Sequence, residues 1–264
     1  MRVLAPAKLN LFLAVGPADA RGWHPLRTVF QAISLADELM IERSDRLEVT
    51  FDDPRVPEDN SVARAVRLLQ EVADYPPVRV HVTKRIPMES GLGGGSSDGA
   101  AILRSAHRLM HGRLPAHEAR ALYRSLGADA SFFGIGGRAQ GEGYGERLTL
   151  RDDAPEQWYV LARPDVGCPT PAMYRALDAL SYEFAEFGDG PYNDFERVCP
   201  IECRALIETL RTQGVEAGLT GSGSVVFGIA RDKAHAIALA AGLDAPWTHV
   251  ARSLTRAESL AISD

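Results

Sequence analysis

Residues 86–110 read IPMESGLGGGSSDGAAILRSAHRLM, a glycine-dense turn held between a strand-like run and a helix-like run. Upstream, Val78, Val80 and Val82 alternate with Arg79 and His81, the period-two pattern of a half-buried strand, which Pro87 ends. Downstream, Ile102, Leu103, Ala106, Leu109 and Met110 recur at helical spacing, with Gly112 as the expected stop. Between the two runs Gly91, Gly93, Gly94 and Gly95 lack β-carbons, so the backbone can take left-handed dihedrals and aim successive N–H groups at one point. Those donors, the unpaired amides of a first helical turn and the positive end of the helix dipole make an anion site. Ser96 and Ser97 add hydroxyls suited to capping the helix, binding a phosphate oxygen or touching a metal ion. A cap needs one glycine at most; a cluster of this density implies that a ligand approaches the backbone closely.

The turn is not one of the commoner phosphate loops. No Lys follows the glycines as a P-loop requires, Ser96 stands where a dinucleotide-binding loop needs its third glycine, and the kinase signatures H-R-D and D-F-G are absent. With 264 residues the chain has room for two modest domains, and the charged break at 151–156, RDDAPE, divides it into 1–150 and 151–264. Apolar content of 45% and charged content of 24% exclude disordered and fibrous classes. A net charge of −6 and a pI near 5.7 give no basic field for nucleic acid, so phosphate recognition has to be local.

Cys168, Cys199 and Cys203 are few and odd in number, which fits reduced thiols and a cytoplasmic setting. Neither Cys199 with Cys203 nor His107 with His111 brings the further ligands a metal site needs. The apolar run at 9–15 is too short for a signal-peptide core, and no stretch is long enough to span a bilayer, so no membrane partner is expected.

Elsewhere, residues 4–15 alternate, placing Leu9, Leu11, Leu13 and Val15 on one side and Lys8, Asn10 and Phe12 on the other; a solvated edge strand is the simplest reading. Trp23 and His24 sit in a stretch of turn composition, where an aromatic either anchors the loop or stacks on a ligand. Two strands, around 28–33 and 39–41, are expected to flank a turn at Ala36, Asp37 and Glu38. A helix capped by Asn60 or Ser61 follows, and a second has Pro115 in its first turn and Gly127 past its end. Asp129 reads as the cap of a short helix. The second half gives a strand at 159–163, a helix capped by Thr170, a helix from Ile201 to a stop at Gly214, a glycine cluster at 218–223 leading into a strand at 225–229, a helix at 231–241 and a strand at 249–254. Strands and helices do not alternate regularly, which favours α+β.

Five stretches taken in order, APAKLNLFLAV, GWHPLRTVF, PMESGLGGGSSDGAA, LGADASFF and LTGSGSVVFG, resemble the GHMP kinases over nearly the whole chain. Within that family the pattern is most similar to the branch acting on a cytidine diphosphate-linked methylerythritol in non-mevalonate isoprenoid synthesis. The resemblance implies an α+β, two-domain fold, an N-terminal ATP-binding domain and a C-terminal ferredoxin-like domain with the active site between them. It implies ATP and Mg2+ as cofactors and a small-molecule substrate, in a monomer or weak homodimer. It makes Asp129 the catalytic Asp, with Lys8 beside it. Asn60, Lys84, Gly91, Leu92, Gly93, Gly94, Gly95, Ser96 and Ser97 would hold ATP, and Asn10, Trp23, His24, Thr170 and Tyr174 the substrate. Trp23 and Tyr174 would sandwich the pyrimidine while His24 reads its edge through backbone groups. Metal ligands are not implied.

Trp23 stands where Tyr is usual, Gly99 where Ala is usual, Ser131 where Pro is common, and Glu89–Ser90 is an idiosyncratic lead into the glycines. Two alternatives stay open: a kinase of this class acting on homoserine, mevalonate or a sugar, and a non-catalytic nucleotide-binding regulator.

Overall fold

The computed structural model describes residues 1–110 and 114–263; the expected stop at Gly112 and the residue His111 lie outside them. The chain runs β1 (Arg2–Val15), β2 (Leu26–Arg43), β3 (Glu48–Phe51), α1 (Ser61–Val72), β4 (Val78–Thr83), α2 (Gly94–Ser105), α3 (Ala116–Leu126), α4 (Ala128–Ile135), β5 (Arg138–Glu142) and β6 (Arg147–Arg151). It continues β7 (Trp158–Arg163), α5 (Thr170–Asp178), β8 (Tyr192–Asn193), α6 (Ile201–Thr212), β9 (Ala217–Leu219), β10 (Val226–Ala230), α7 (Lys233–Gly242), β11 (Trp247–Arg252), α8 (Arg256–Ser259) and β12 (Ile262–Ser263).

The larger sheet has the order β12-β1-β2-β4-β3, with the β5–β6 hairpin added to β2 and β8 to β1. Its inner face is covered by α1 and α2: Val3, Ala5, Leu39, Ile41 and the alternating Val78, Val80 and Val82 pack on Val62, Ala65, Val66, Leu69 and Ile102. The smaller sheet, β11-β7-β10-β9, is antiparallel throughout, with its first and third strands at the centre. That is the strand order of a ferredoxin-like layer. The two sheets meet where Ala7, Leu9, Ile33 and Leu35 of the larger one pack on Tyr159, Leu161 and Phe227 of the smaller.

Several sequence expectations are corrected. No turn divides residues 28–41: β2 is one strand of 18 residues, and Asp37, expected in that turn, is fully buried. Its Oδ1 accepts the backbone N–H groups of Arg85 (2.6 Å) and Ile86 (2.8 Å), and its Oδ2 accepts the Lys84 ammonium, so a turn-forming residue type is stabilised inside a strand by tertiary partners. β1 is not a solvated edge: β12 pairs it only at Arg2 and Val3 and β8 only at Phe12 and Leu13, and between them the Lys8 and Asn10 N–H groups donate to the Leu92 carbonyl (3.1 Å) and Thr220 Oγ1 (3.0 Å), with both side chains buried. A bulge between Asn10 and Phe12 interrupts its register with β2. Leu9 therefore packs between the sheets, whereas Leu13 shares the cavity wall with Lys8 and Asn10, a change of face that simple alternation does not foresee.

Pro115 caps α3 rather than entering its first turn, and Gly127 rather than Asp129 precedes α4. Thr170 is the first residue of α5; its hydroxyl bonds Ser222 at 2.8 Å instead of capping. Strand β9 takes up part of the 218–223 glycine cluster. Local patterning does not foresee α8 and β12, and β8 and β12 return the second half of the chain to the larger sheet across the 151–156 break. Gly99 allows α1 and α2 to approach: a β-carbon there would lie 2.9 Å from the Ser61 carbonyl oxygen.

Candidate active site

The glycine turn is built as the sequence suggests, with φ +75° at Gly91 and +74° at Gly93. A β-carbon on Gly91 would lie 2.0 Å from the Thr220 carbonyl oxygen, and one on Gly93 would lie 2.9 Å from the Phe133 ring. Both glycines are therefore required by conformation and by space. Gly93 precedes α2 and no side chain caps the helix; the first helical bond runs from the Ser97 N–H to the Gly93 carbonyl at 2.9 Å. The amides of Gly94, Gly95 and Ser96 are left as donors at a helix N-terminus. Gly91, Gly93, Gly94, Gly95 and Ser96 line one cavity of about 1070 Å3. Leu92 and Ser97 do not: Leu92 is buried, and the Ser97 hydroxyl donates to the Pro6 carbonyl at 2.7 Å, so its expected capping or phosphate role is corrected to packing against β1.

Lys8 reaches this turn from the middle of β1. Its ammonium donates to the Gly91 carbonyl (2.5 Å) and to Asn10 Oδ1 (2.5 Å), and it stands 3.8 Å from Asp129 Oδ2. Burial pushes the Lys8 pKa below its ordinary value, and the Asp129 carboxylate opposes that shift. Asn10 is fixed in turn: its Nδ2 donates to Thr28 Oγ1 (2.7 Å), whose hydroxyl donates to the Phe12 carbonyl (2.8 Å). The Asn10 amide thus orients Lys8 while lining the same cavity. Asp129 lies in the first turn of α4, where the helix dipole favours a carboxylate, and its side chain is 35% exposed towards the cavity.

At one end of the cavity Asn60 caps α1, accepting the Ala63 N–H at 3.0 Å. Lys84, 9% exposed in its side chain, joins Asp37 and Asp98. Burial alone would lower Lys84, but the two carboxylates, Asp98 foremost, outweigh it and raise its pKa. Asp98 is pushed well above the ordinary carboxylate value by burial and by the Asp37 charge; its Oδ2 accepts Lys84 at 2.8 Å, and its Oδ1 is buried without a partner. At the other end stand Trp23, His24, Thr170 and Tyr174. The His24 ring stacks on Tyr174 (centroids 4.7 Å apart, 28° between planes), and His24 Nδ1 lies 3.0 Å from the Gly16 carbonyl. Trp23, 61% exposed, meets Tyr144 edge-on at 6.1 Å. His24 stacks on one face of Tyr174, because the loop turns its imidazole inward between Gly16 and Asp178.

Sequence reasoning missed Asp37 and Asp98, and also Gly221, Ser222 and Gly223, which reach the cavity from the smaller sheet. The second glycine cluster was the available signal. A β-carbon on Gly221 would lie 2.8 Å from the Gly91 carbonyl oxygen, so the two glycine loops interlock.

A glycine-built turn at a helix N-terminus, an ammonium bound to it and a carboxylate facing both are the arrangement that phosphoryl transfer requires, here on a two-sheet α+β fold. The GHMP kinases N terminal domain matches residues 60–137, and the GHMP kinases C terminal domain matches residues 194–249. The chain belongs to the GHMP kinase family.

More particularly, it is similar to the 4-diphosphocytidyl-2-C-methyl-D-erythritol kinase of Polaromonas naphthalenivorans, at 36% identity over 84% of this chain and 83% of that one. The kinase of the same name from Burkholderia cenocepacia is 35% identical over 95% and 93%. A crystal structure of 4-(cytidine 5'-diphospho)-2C-methyl-D-erythritol kinase superposes with a TM-score of 0.82 at 34% identity, covering 96% of this chain and 99% of the other. A homoserine kinase from Cytophaga hutchinsonii, with a TM-score of 0.73 over 97% and 94% of the two chains but 17% identity, shares the fold.

Proposed function

We propose that this protein transfers the terminal phosphoryl group of ATP to the 2-hydroxyl of 4-diphosphocytidyl-2-C-methyl-D-erythritol. The observation that carries this reading is the convergence of Lys8, Asp129 and the free amides of Gly94, Gly95 and Ser96 on one cavity, from segments far apart in the chain. The amides and the helix dipole bind the triphosphate as an anion. The acceptor hydroxyl lies against Asp129, whose carboxylate takes its proton as the oxygen attacks phosphorus in line with the departing ADP oxygen. Lys8 is anchored to the carbonyl of Gly91, so its charge stays fixed beside both the carboxylate and the phosphoryl group during transfer. Trp23, His24, Thr170 and Tyr174 form the wall suited to a pyrimidine, and the similarity to the diphosphocytidyl kinases at 34–36% identity favours that acceptor over homoserine or mevalonate.

Mg2+ fits the site as an ion carried mainly by phosphates and water. Among the described residues no three His, Cys, Asp or Glu side chains gather as a metal cage, and the Ser96 hydroxyl and Asp129 carboxylate are among the cavity oxygens that would complete its shell. Bound there, the ion neutralises charge on the phosphate oxygens. The domain division at 151–156, a monomeric or weakly dimeric state and a cytoplasmic setting belong to the same proposal. No helix among the described residues is long and apolar enough to cross a membrane.

The test is Asp129→Asn, assayed with ATP and the cytidyl substrate. Phosphoryl transfer should fall by about 10²-fold or more while nucleotide binding persists. Undiminished transfer would refute the assignment of the base, and failure of the unaltered protein to use the cytidyl substrate would refute the assignment of the acceptor.

A further inference from the structure

Trp23 is a large apolar side chain in solvent at the lip of the cavity, yet the loop that carries it is not loose. Its polar ties converge on Asp19. Asp19 Oδ1 accepts the backbone N–H groups of Arg21 (2.8 Å) and Trp23 (3.0 Å). Oδ2 accepts the Arg21 Nε (3.1 Å) and Nη2 (2.9 Å) and the Tyr144 hydroxyl (2.7 Å). The Asp19 N–H donates back to the Trp23 carbonyl at 2.8 Å, closing the loop on itself. Tyr144 comes from the β5–β6 turn, where its own N–H donates to Glu146 Oε2 at 2.7 Å; its ring supports the edge of Trp23 and lies under the Arg21 guanidinium. One carboxylate thus ties a surface loop to a hairpin 125 residues away in sequence and sets the backbone of an exposed tryptophan.

We propose that Asp19 is a positioning residue that holds Trp23 as a preformed outer wall for the cytidyl group of the substrate, with Tyr144 as its anchor on the larger sheet. The inference rests on the acceptor assigned above. An exposed aromatic loop that ordered only on binding would charge that ordering against affinity; one fixed beforehand does not. The Tyr144 hydroxyl and the Trp23 amide, with Arg21, hold the Asp19 carboxyl below the usual carboxylate range. None of its bonds is made to the elements that carry Lys8, Asp129 or the glycine turn, so loosening it should act on the cytidyl substrate alone.

The experiment compares the unaltered protein with Asp19→Ala, Asp19→Asn and Tyr144→Phe, varying the cytidyl substrate at saturating ATP and then the reverse. Asp19→Ala should raise KM for the cytidyl substrate about tenfold, with kcat and the KM for ATP unchanged. Asp19→Asn keeps an oxygen for the two backbone amides and should recover most of the loss, and Tyr144→Phe should fall between. In the ligand-free protein the heteronuclear NOE of the Trp23 amide should drop in Asp19→Ala and be retained in Asp19→Asn. An unmoved KM, an unmoved NOE, or a fall in kcat and a rise in the KM for ATP accompanying a lower melting temperature would overturn the proposal. Should Asp19→Ala fail to fold, the other two variants carry the same readouts. If the unaltered protein does not turn over the cytidyl substrate, the acceptor assignment fails instead, and the NOE still reports on the loop.

Discussion

Replacing Gly91 by Ala tests the claim that two glycine loops from different halves of the chain must touch. The new methyl group would sit 2.0 Å from the Thr220 carbonyl oxygen and 3.1 Å from the Gly223 nitrogen, both backbone atoms that cannot rotate aside. At φ +75° an L-residue also carries the left-handed penalty, about 1–2 kcal/mol. Forcing the loops apart adds an overpacking cost of about 1–3 kcal/mol. The sum, about 2–5 kcal/mol, corresponds to a fall in Tm of about 4–20 °C at about 2–4 °C per kcal/mol for chains of this size. Displacing the Gly91 carbonyl also removes an acceptor from Lys8, so kcat should fall with stability. Gly95→Ala is the internal control: its β-carbon would meet only Ser61 Oγ, at an ordinary 3.6 Å, and its φ is helical. That variant should be neutral or more stable by about 0.4–1 kcal/mol. Calorimetry and urea unfolding of the pair decide the matter; equal stability of the two variants would refute the interlocked geometry.

Lys8→Met should lower kcat about 10²–10³-fold, because a fixed charge beside the transferring group is lost; steady-state kinetics that hold within twofold would remove Lys8 from the chemistry. The raised Asp98 pKa fixes a pH slope. The native state keeps a proton that the unfolded chain releases near the ordinary value of 3.8, so stability should decline as pH rises from there through the raised value. Urea titrations across that window should show the slope, and Asp98→Asn should flatten it. Chelation of divalent ions should stop turnover and leave the melting temperature unchanged, since no cage of three metal-ligating side chains exists among the described residues.

Where local patterning and tertiary demand agree, the sequence is informative. The alternating valines of β4, the glycines before α2 and Asn60 as the cap of α1 are legible because each follows from a few neighbouring residues. Asp37 is the opposite case. Its residue type argues for a turn, and only the arrival of Lys84 and two amides from more than 45 positions away makes a strand possible there. β8, α8 and β12, of two to four residues each, lie below the length at which periodicity carries information. In the cavity, positions 8, 91, 93 to 96 and 129 could be named through the resemblance, but the contribution of 221–223 depends on how the second sheet docks, which no window of sequence contains. The stacking of His24 on Tyr174 is similar: both residue types were legible, their mutual arrangement was not.

The departures from local rules also explain how a buried ammonium is tolerated. Register irregularities in β1 fall on either side of the Lys8–Asn10 segment, between Pro6 and Lys8 and between Asn10 and Phe12. Such bulges re-aim side chains beside active sites. Here they flank the two polar residues in the middle of the strand, whose ammonium and amide face the glycine turn while Leu9 faces the opposite core. Burial disfavours the charged Lys8, and the structure answers with two oxygen acceptors and a carboxylate. Replacing Lys8 by Met would relieve that desolvation but strand the Gly91 carbonyl and Asn10 Oδ1 without their donor. The same contacts that make the ammonium stable in the interior therefore hold it where an incoming phosphate adds a second anionic partner beside Asp129.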